Sequence, residues 1–362
     1  MNPVTTFPGQ SSLGVSDSVE TIRVRDPQTA EPRWYTAWAA RYLNDARDVV
    51  FIGLMMESSI ALLCGIAVWL SSAPLVLVAP VYLVGLALWA LDRFTLMLHC
   101  TSHRPLFKPR YRAFNRLIPW VLGPVFGHTP NTYFAHHLGM HHREENLKDD
   151  LSATIAFRRD RLDHWLRYYL RFLFIGLPEL SLYFARGKRY KMLTGILVGE
   201  AVYWALVLAL GYFKPWHTLL VLVAPMLLIR TLMMIGNWGQ HAFVCQEHPE
   251  DPYRASITCI NTRYNRRCFN DGYHVLHHVQ PRCHWTEHPR EFERALSEYA
   301  KHDSIVFDGL DFFQVWVCLM FRRYSVLAKH FVQLPGAPVR SEPEIIAFLK
   351  GRVQPLASAP SA

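Results

Sequence analysis

The chain of 362 residues carries 18 histidines, and nine of them, drawn from four short clusters, are spaced as ligands. The first is H-C-T-S-H, with His99 and His103. The second is H-H-L-G-M-H-H over 136–142, offering His137, His141 and His142. The third is N-W-G-Q-H, with Asn237 and His241, and the last is H-V-L-H-H, with His274, His277 and His278. Residues three or four apart on a helix point to the same side, so each spacing reads as imidazoles converging on one point. Imidazole nitrogen suits Zn, Cu, Fe and Ni. A structural or catalytic zinc takes three or four protein ligands, and nine histidines exceed that, so the set reads as two metal ions with open positions. Nitrogen donors without a dense carboxylate set disfavour Mg and Ca, which want oxygen. Iron in a redox role is the natural candidate.

Within the second cluster His137 is preferred to His136, because a ligand at i is expected to share a face with i+4 and i+5. His128, His164, His217, His248, His284, His288, His302 and His330 are isolated or poorly spaced and read as solvated or hydrogen-bonded. Ligand imidazoles usually donate their other N–H to a carboxylate or carbonyl. Asp271, three residues before His274, and Glu144, Glu145, Asp149 and Asp150, after His142, are the candidates for that role. The amide of Asn237 is expected to reach the site directly or through water.

The elements that position these clusters are apolar. Residues 49–70, 73–98, 192–213 and 216–236 are each long enough to cross a hydrocarbon core of about 30 Å. The links Ser71–Ser72 and Lys214–Pro215 are too short to be domains, so the runs read as two transmembrane hairpins. His99 and Asn237 then mark the ends of the second and fourth spans. Of 38 Lys and Arg, all but Arg93, Lys214 and Arg230 lie in 1–48, 99–191 and 237–362, on one side of such a topology. The positive-inside rule makes that side cytoplasmic. Asp92 lies seven residues before His99 and Arg230 seven before Asn237. Charges at membrane depth turn inward to a partner or cavity, so both are expected to face the bundle interior beneath the metals, where they can pair. Arg93 is expected to snorkel to the interface, which is also the alternative for Arg230.

Composition agrees. Hydrophobic residues make up 51% and charged residues 19%, with a net charge of +9; soluble domains average about 25% charged. An intrinsically disordered chain is excluded, and no nucleic-acid-binding module is visible. Seven cysteines without regular spacing argue against a disulfide framework and for a reducing compartment. Shorter apolar stretches at 117–127, 165–184 and 305–321 suit either interfacial helices or core helices of the cytoplasmic part. The expected fold is an all-α membrane protein, with four transmembrane helices as two hairpins and a helical cytoplasmic cap carrying the histidines. Its parts are a cytoplasmic N-terminal segment over 1–48, a catalytic domain over 49–322, and a loosely ordered tail over 323–362, rich in proline.

The boxes H-x3-H (His99, His103), H-x3-H-H (His137, His141, His142), N-x3-H (Asn237, His241) and H-x2-H-H (His274, His277, His278) resemble those of the membrane fatty acid desaturase superfamily. The resemblance runs from about 49 to 289 and includes box order and topology. It implies a dinuclear non-haem iron centre at the cytoplasmic face, O2 as oxidant, and a fatty acid or fatty-acyl thioester held in an apolar tunnel. Asn237, Asp271 and Asp92 become the candidate catalytic residues beside the nine histidines. One departure stands out: many acyl desaturases have H-x2-H-H as the second box, one residue shorter than here, whereas hydroxylase-like branches tolerate the longer spacing. The stretches HHLGMHHREEN (136–146) and FNDGYHVLHH (269–278) are similar to the UndB-type fatty acid decarboxylases that form terminal alkenes. Desaturation is the leading reading, with oxidative decarboxylation and hydroxylation as alternatives.

Reduction of O2 needs electrons. No H-P-G-G haem motif is present, and Cys245, Cys259, Cys268 and Cys283 match no iron–sulfur spacing. A separate ferredoxin-like or cytochrome b5-like donor is therefore expected at the basic cytoplasmic face. The reading from another class is a zinc-dependent membrane hydrolase, although H-E-x-x-H does not occur.

Overall fold

The computed structural model describes residues 22–356. Four helices are long and apolar enough to cross a membrane: Ala46–Leu70, Leu75–His103, Tyr190–Phe213 and Pro215–Gln240. Apolar side chains on their outer faces, such as Leu63, Val81, Leu88 and Leu208, stay exposed, as lipid-facing surfaces require. The two tight links lie side by side. Lys214 Nζ donates to the carbonyls of Trp69, Leu70 and Ser71 at 3.0 Å each, and Trp69 Nε1 donates to Thr218 Oγ1 at 2.9 Å. With both hairpin tips at one end, the second and fourth spans finish at the other. At about 1.5 Å per residue, the 29 residues of Leu75–His103 extend beyond a core of about 30 Å and carry His99 and His103 past it.

The remaining segments fold over that end. They are helical apart from one two-stranded parallel sheet, Ile257–Ile260 against Ile305–Asp308, with Ile257 opposite Ile305. Both strands are almost wholly buried, which suits their apolar β-branched sequences. The stretch 305–321 is therefore a strand followed by the helix Phe312–Met320. Residues 117–127 form short, broken turns that bury Ile118, Leu122 and Phe126. Over 165–184 two helices, Leu162–Phe174 and Gly176–Arg186, leave Leu162, Leu166, Leu170 and Phe174 exposed along one stripe. This last stretch has the apolar outer face of an interfacial helix.

The tail expected to be loose is instead folded as far as it is described. Helices Tyr324–His330 and Glu342–Arg352 bury Leu327, Leu349 and Val353 completely. A capping box between Ser341 and Glu344 starts the second helix. The chain then docks on the loop before the Leu162–Phe174 helix, with Arg159 N donating to Val353 O at 2.9 Å and Leu356 N to Ile155 O at 2.9 Å. Arg159 explains the attachment. Its guanidinium is fully buried and donates to the carbonyls of Ala242, Phe157, Arg352 and Gln354 at 2.7–3.0 Å. The prolines interrupt this segment without preventing it from packing.

Residues 22–48 are attached as well. The Asp26 carboxylate accepts from Asn261 N (2.7 Å), Asn265 Nδ2 (2.9 Å) and Tyr273 Oη (2.7 Å). The N-terminal segment is thereby tied to the residue preceding His274.

Candidate metal centre

Eight of the nine histidines form two tetrads. His99, His103, His137 and His277 make the first, and His141, His241, His274 and His278 the second; in each, the potential ligand atoms lie within 4.8 Å of one another. Nε2 atoms face inward. In the first tetrad His99 and His277 are 3.1 Å apart and His103 and His137 2.8 Å; in the second, His274 is 3.1 Å from both His241 and His278. Ligand nitrogens about 2.1 Å from a shared ion and at right angles to each other are separated by about 3.0 Å, so these spacings are those of neighbours in one coordination sphere. The ninth, His142, stands between the groups, with Nε2 2.8 Å from His277 Nε2 and its ring centroid 5.0 Å from that of His278.

The second box shows how an additional residue is accommodated. After the helix Thr132–His136, residues His137–His141 form a π-turn. Closing i to i+5 encloses one residue more than an α-turn, and such bulges concentrate at functional sites. It also changes the phase. His137 and His141 do not share a site, as α-helical spacing suggested, but go to different tetrads. Gly139 inside the turn has no room for a side chain, since a Cβ would lie 2.8 Å from Phe184 Cζ. Its carbonyl accepts from the Arg189 guanidinium. His136, one residue before the turn, joins neither tetrad; its Nε2 is buried without a partner.

Outer contacts orient the rings. His141 Nδ1 donates to Asp150 Oδ2 at 2.7 Å, and His241 Nδ1 to Ala255 O at 3.0 Å. A ring that donates from Nδ1 keeps its Nε2 lone pair for a metal. Asp150 is itself fixed by Asn146 N, Ser152 N and Ser152 Oγ at 2.7–3.0 Å. Burial pushes its carboxyl up, but the neighbouring His141 ring and the hydrogen bonds from His141 and Ser152 outweigh this and hold it below the usual range. Burial, followed by repulsion among neighbouring rings, holds His137, His274, His277 and His278 well below the ordinary imidazole pKa. Converging imidazoles, with the outer hydrogens of His141 and His241 fixed in the second tetrad, fit a metal in each tetrad.

The other expected site residues are placed differently. Asp271 faces His99 rather than His274: its Oδ1 is 3.7 Å from His99 Nδ1, while Oδ2 accepts from Tyr264 Oη at 2.7 Å and Gln240 Nε2 at 3.2 Å. Burial raises its carboxyl to about 6. Asn237 does not reach the imidazoles by a hydrogen bond. Both amide hydrogens are engaged, on Ser152 O (2.9 Å) and Tyr168 Oη (2.7 Å), so it braces the loop that carries Asp150. Glu144 accepts from Tyr183 Oη at 2.5 Å, away from the rings.

Asp92 pairs with Arg267, at 2.5 and 2.8 Å, and not with Arg230. The reason is local: residues Ala87–Leu91 form a π-turn in the second span, and Arg267 also donates to the freed carbonyls of Leu88 and Trp89 at 2.6 and 3.1 Å. This clamp joins the second span to the loop leading to His274. Arg93 does not snorkel; it pairs with Glu57 at 2.7 Å. Asp26, Arg159, Arg189 and Arg267 escaped the sequence reading, because each acts on a partner remote in sequence.

Beneath the rings lies a cavity of about 330 Å³, within the size range of small-molecule sites. His99 and His137 of the first tetrad and His141 and His274 of the second border it, and Leu96, Ile229, Leu232 and Met233 form much of its apolar wall. The arrangement can hold two metals against one apolar guest.

The family model described as fatty acid desaturase matches residues 71–309, more than half of the chain. Among curated proteins and solved structures nothing matches.

Proposed function

The chain belongs to the fatty acid desaturase family, and on that premise we propose that it is a membrane oxidase that removes hydrogen from a fatty acid or fatty-acyl chain, desaturating it with O2 and an external reductant. The observation that carries this reading is the pair of histidine tetrads bordering one apolar cavity. Two-metal sites also serve hydrolases, but two all-histidine sites facing a hydrocarbon-sized apolar space suit oxidation of an unactivated chain. Bound there, two iron ions supply the O2-dependent oxidising power that no amino-acid side chain provides.

The chain's own residues do the rest. The nine histidines hold the metals, with Asp150 and the Ala255 carbonyl setting ring orientation in the second tetrad and Asp271 beside His99 in the first. Leu96, Ile229, Leu232 and Met233 exclude water and hold the acyl chain against the imidazoles. Desaturation takes two hydrogens from the substrate; with two electrons and two protons from outside they convert O2 to two waters. The electrons come from a separate ferredoxin-like or cytochrome b5-like donor, docking on the basic side, which the positive-inside rule makes cytoplasmic.

Membranes containing the protein, incubated with reductant, O2 and fatty acids of several lengths, test this by mass spectrometry. The expected product is the substrate less two hydrogens. An added oxygen atom shows hydroxylation and a terminal alkene with loss of CO2 shows decarboxylation, each replacing desaturation within the oxidase reading. Turnover independent of O2 and reductant, yielding hydrolysis products, overturns it.

A further inference from the structure

Among the described residues, the charged groups along the spans are partnered, apart from Lys191 at the exposed start of the third span and one group deeper in the fourth. Arg93 has Glu57 and Asp92 has Arg267. Lys214 has three carbonyls. Glu200, on the third span, is buried and accepts from Thr129 Oγ1 (2.5 Å), Thr132 Oγ1 (2.8 Å) and Trp204 Nε1 (3.2 Å). Among the described residues, Arg230 forms no ion pair and its guanidinium donates no hydrogen bond. It lines a cavity of about 60 Å³, together with His128, Thr132, Tyr133, His136 and Met233. An unpaired guanidinium at this depth is costly unless something in the cavity meets it.

Two further observations say what that is. His136 presents a buried Nε2 without a partner and also borders the small cavity. Moreover Tyr133, His136, Ile229 and Met233 border the large cavity as well, so the two spaces adjoin across the same side chains. The His136 ring is stacked 6.5 Å from that of His141 in the second tetrad.

We propose that Arg230, assisted by His136, binds the carboxylate of a free fatty acid whose chain lies in the large cavity beneath the tetrads. This deepens the oxidase reading and rests on it. The guanidinium suits a carboxylate bidentately, and the small space between the helices takes a carboxylate but not a pantetheine arm, so the substrate is the acid rather than a CoA or carrier-protein thioester. An anchor at the carboxyl end also fixes the oxidised carbon by its distance from that end, whatever the chain length.

Binding of tritiated dodecanoate and of its methyl ester to the purified, iron-loaded protein in detergent tests this without turnover. The wild type is expected to bind the acid at least about tenfold more tightly than the ester, the effect of one charge-assisted hydrogen-bonded pair. Arg230→Gln abolishes that preference while ester binding and iron content stay unchanged. Arg230→Lys, which keeps the charge, retains part of the preference and guards against a folding defect in the Gln variant. Equal binding of acid and ester by the wild type overturns the proposal. With a series of free acids, oxidation at a constant position from the carboxyl carbon supports the anchor, and a position constant from the methyl end overturns it. Oxidation of thioesters with free acids inert also overturns it while leaving the oxidase reading intact; dodecanoate bound through Arg230 without any oxidation keeps the anchor and sinks the oxidase reading.

Discussion

The two tetrads use the same side chain four times each, yet they are prepared differently. In the second, all four histidines are buried, and two of them donate from Nδ1 to Asp150 and Ala255 O. In the first, His103 is partly exposed, and the nearest outer carboxylate, Asp271, stands 3.7 Å from His99 Nδ1. Beside this tetrad a cavity of about 30 Å³, bordered by Asp48, His284 and His288 among others, is large enough for a water. One tetrad is thus closed and pre-oriented, while the other reaches the surface at His103. The closed site should hold its ion tightly, and the open one should exchange it.

Removing a ligand gives the largest effect. His278→Ala and His103→Ala should each reduce oxidation to background, but metal retained after brief chelation should separate them. His103→Ala keeps the ion of the closed tetrad, whereas His278→Ala retains almost none. Equal retention in the two variants would break the asymmetry.

Arg159→Met ranks next. It strands several buried carbonyls, each costing about 1–3 kcal/mol when left unpaired, so a loss of about 3–5 kcal/mol is expected, read as a lower unfolding temperature in detergent. Because Arg159 also holds the Ala242 carbonyl beside His241, metal loss should fall first on the closed tetrad. Loss from the open tetrad first would show that the docked tail supports the wrong site.

The outer carboxylates give the finest test. Asp150→Asn should weaken metal binding by about 10–100-fold, as loss of an outer partner does, and Asp271→Asn by less. In the metal-free protein Asp271 has a further signature. Its folded pKa of about 6 lies above the ordinary 3.8, so the folded state binds the extra proton and stability falls as pH rises between those values. Asp271→Asn removes that penalty and should raise unfolding temperature at neutral pH, by at most about 3 kcal/mol in stability, with no gain below pH 4. A gain at pH 4 as large as at pH 7 would contradict the buried, proton-binding role.

Spacing made the ligand set and the hairpins legible. His99 and His103 at i, i+4 on a spanning helix, and His274 and His278 at i, i+4 on one short helix, need no tertiary information to share a tetrad. The assignment of ligands to tetrads was not legible. The π-turn at His137–His141 shifts the phase, and only packing against Phe184 and Arg189 marks it. The partner of Asp92 was hidden for a similar reason: Arg267 is drawn by carbonyls that a second π-turn releases. The folded tail had a signal that the prolines obscured. Ile345, Leu349 and Val353 recur every four residues behind a Ser-x-x-Glu start, the pattern of a capped amphipathic helix.

Metal content of the protein loaded anaerobically with ferrous iron, followed by exposure to O2 and reductant, tests the central claim most directly. About two irons per chain are expected, since eight or nine histidines exceed one ion's ligand needs. One should be stripped by chelator well before the other, and O2 should be consumed only when both are present. A single tightly held zinc, with no iron bound and no O2 consumed, would contradict it.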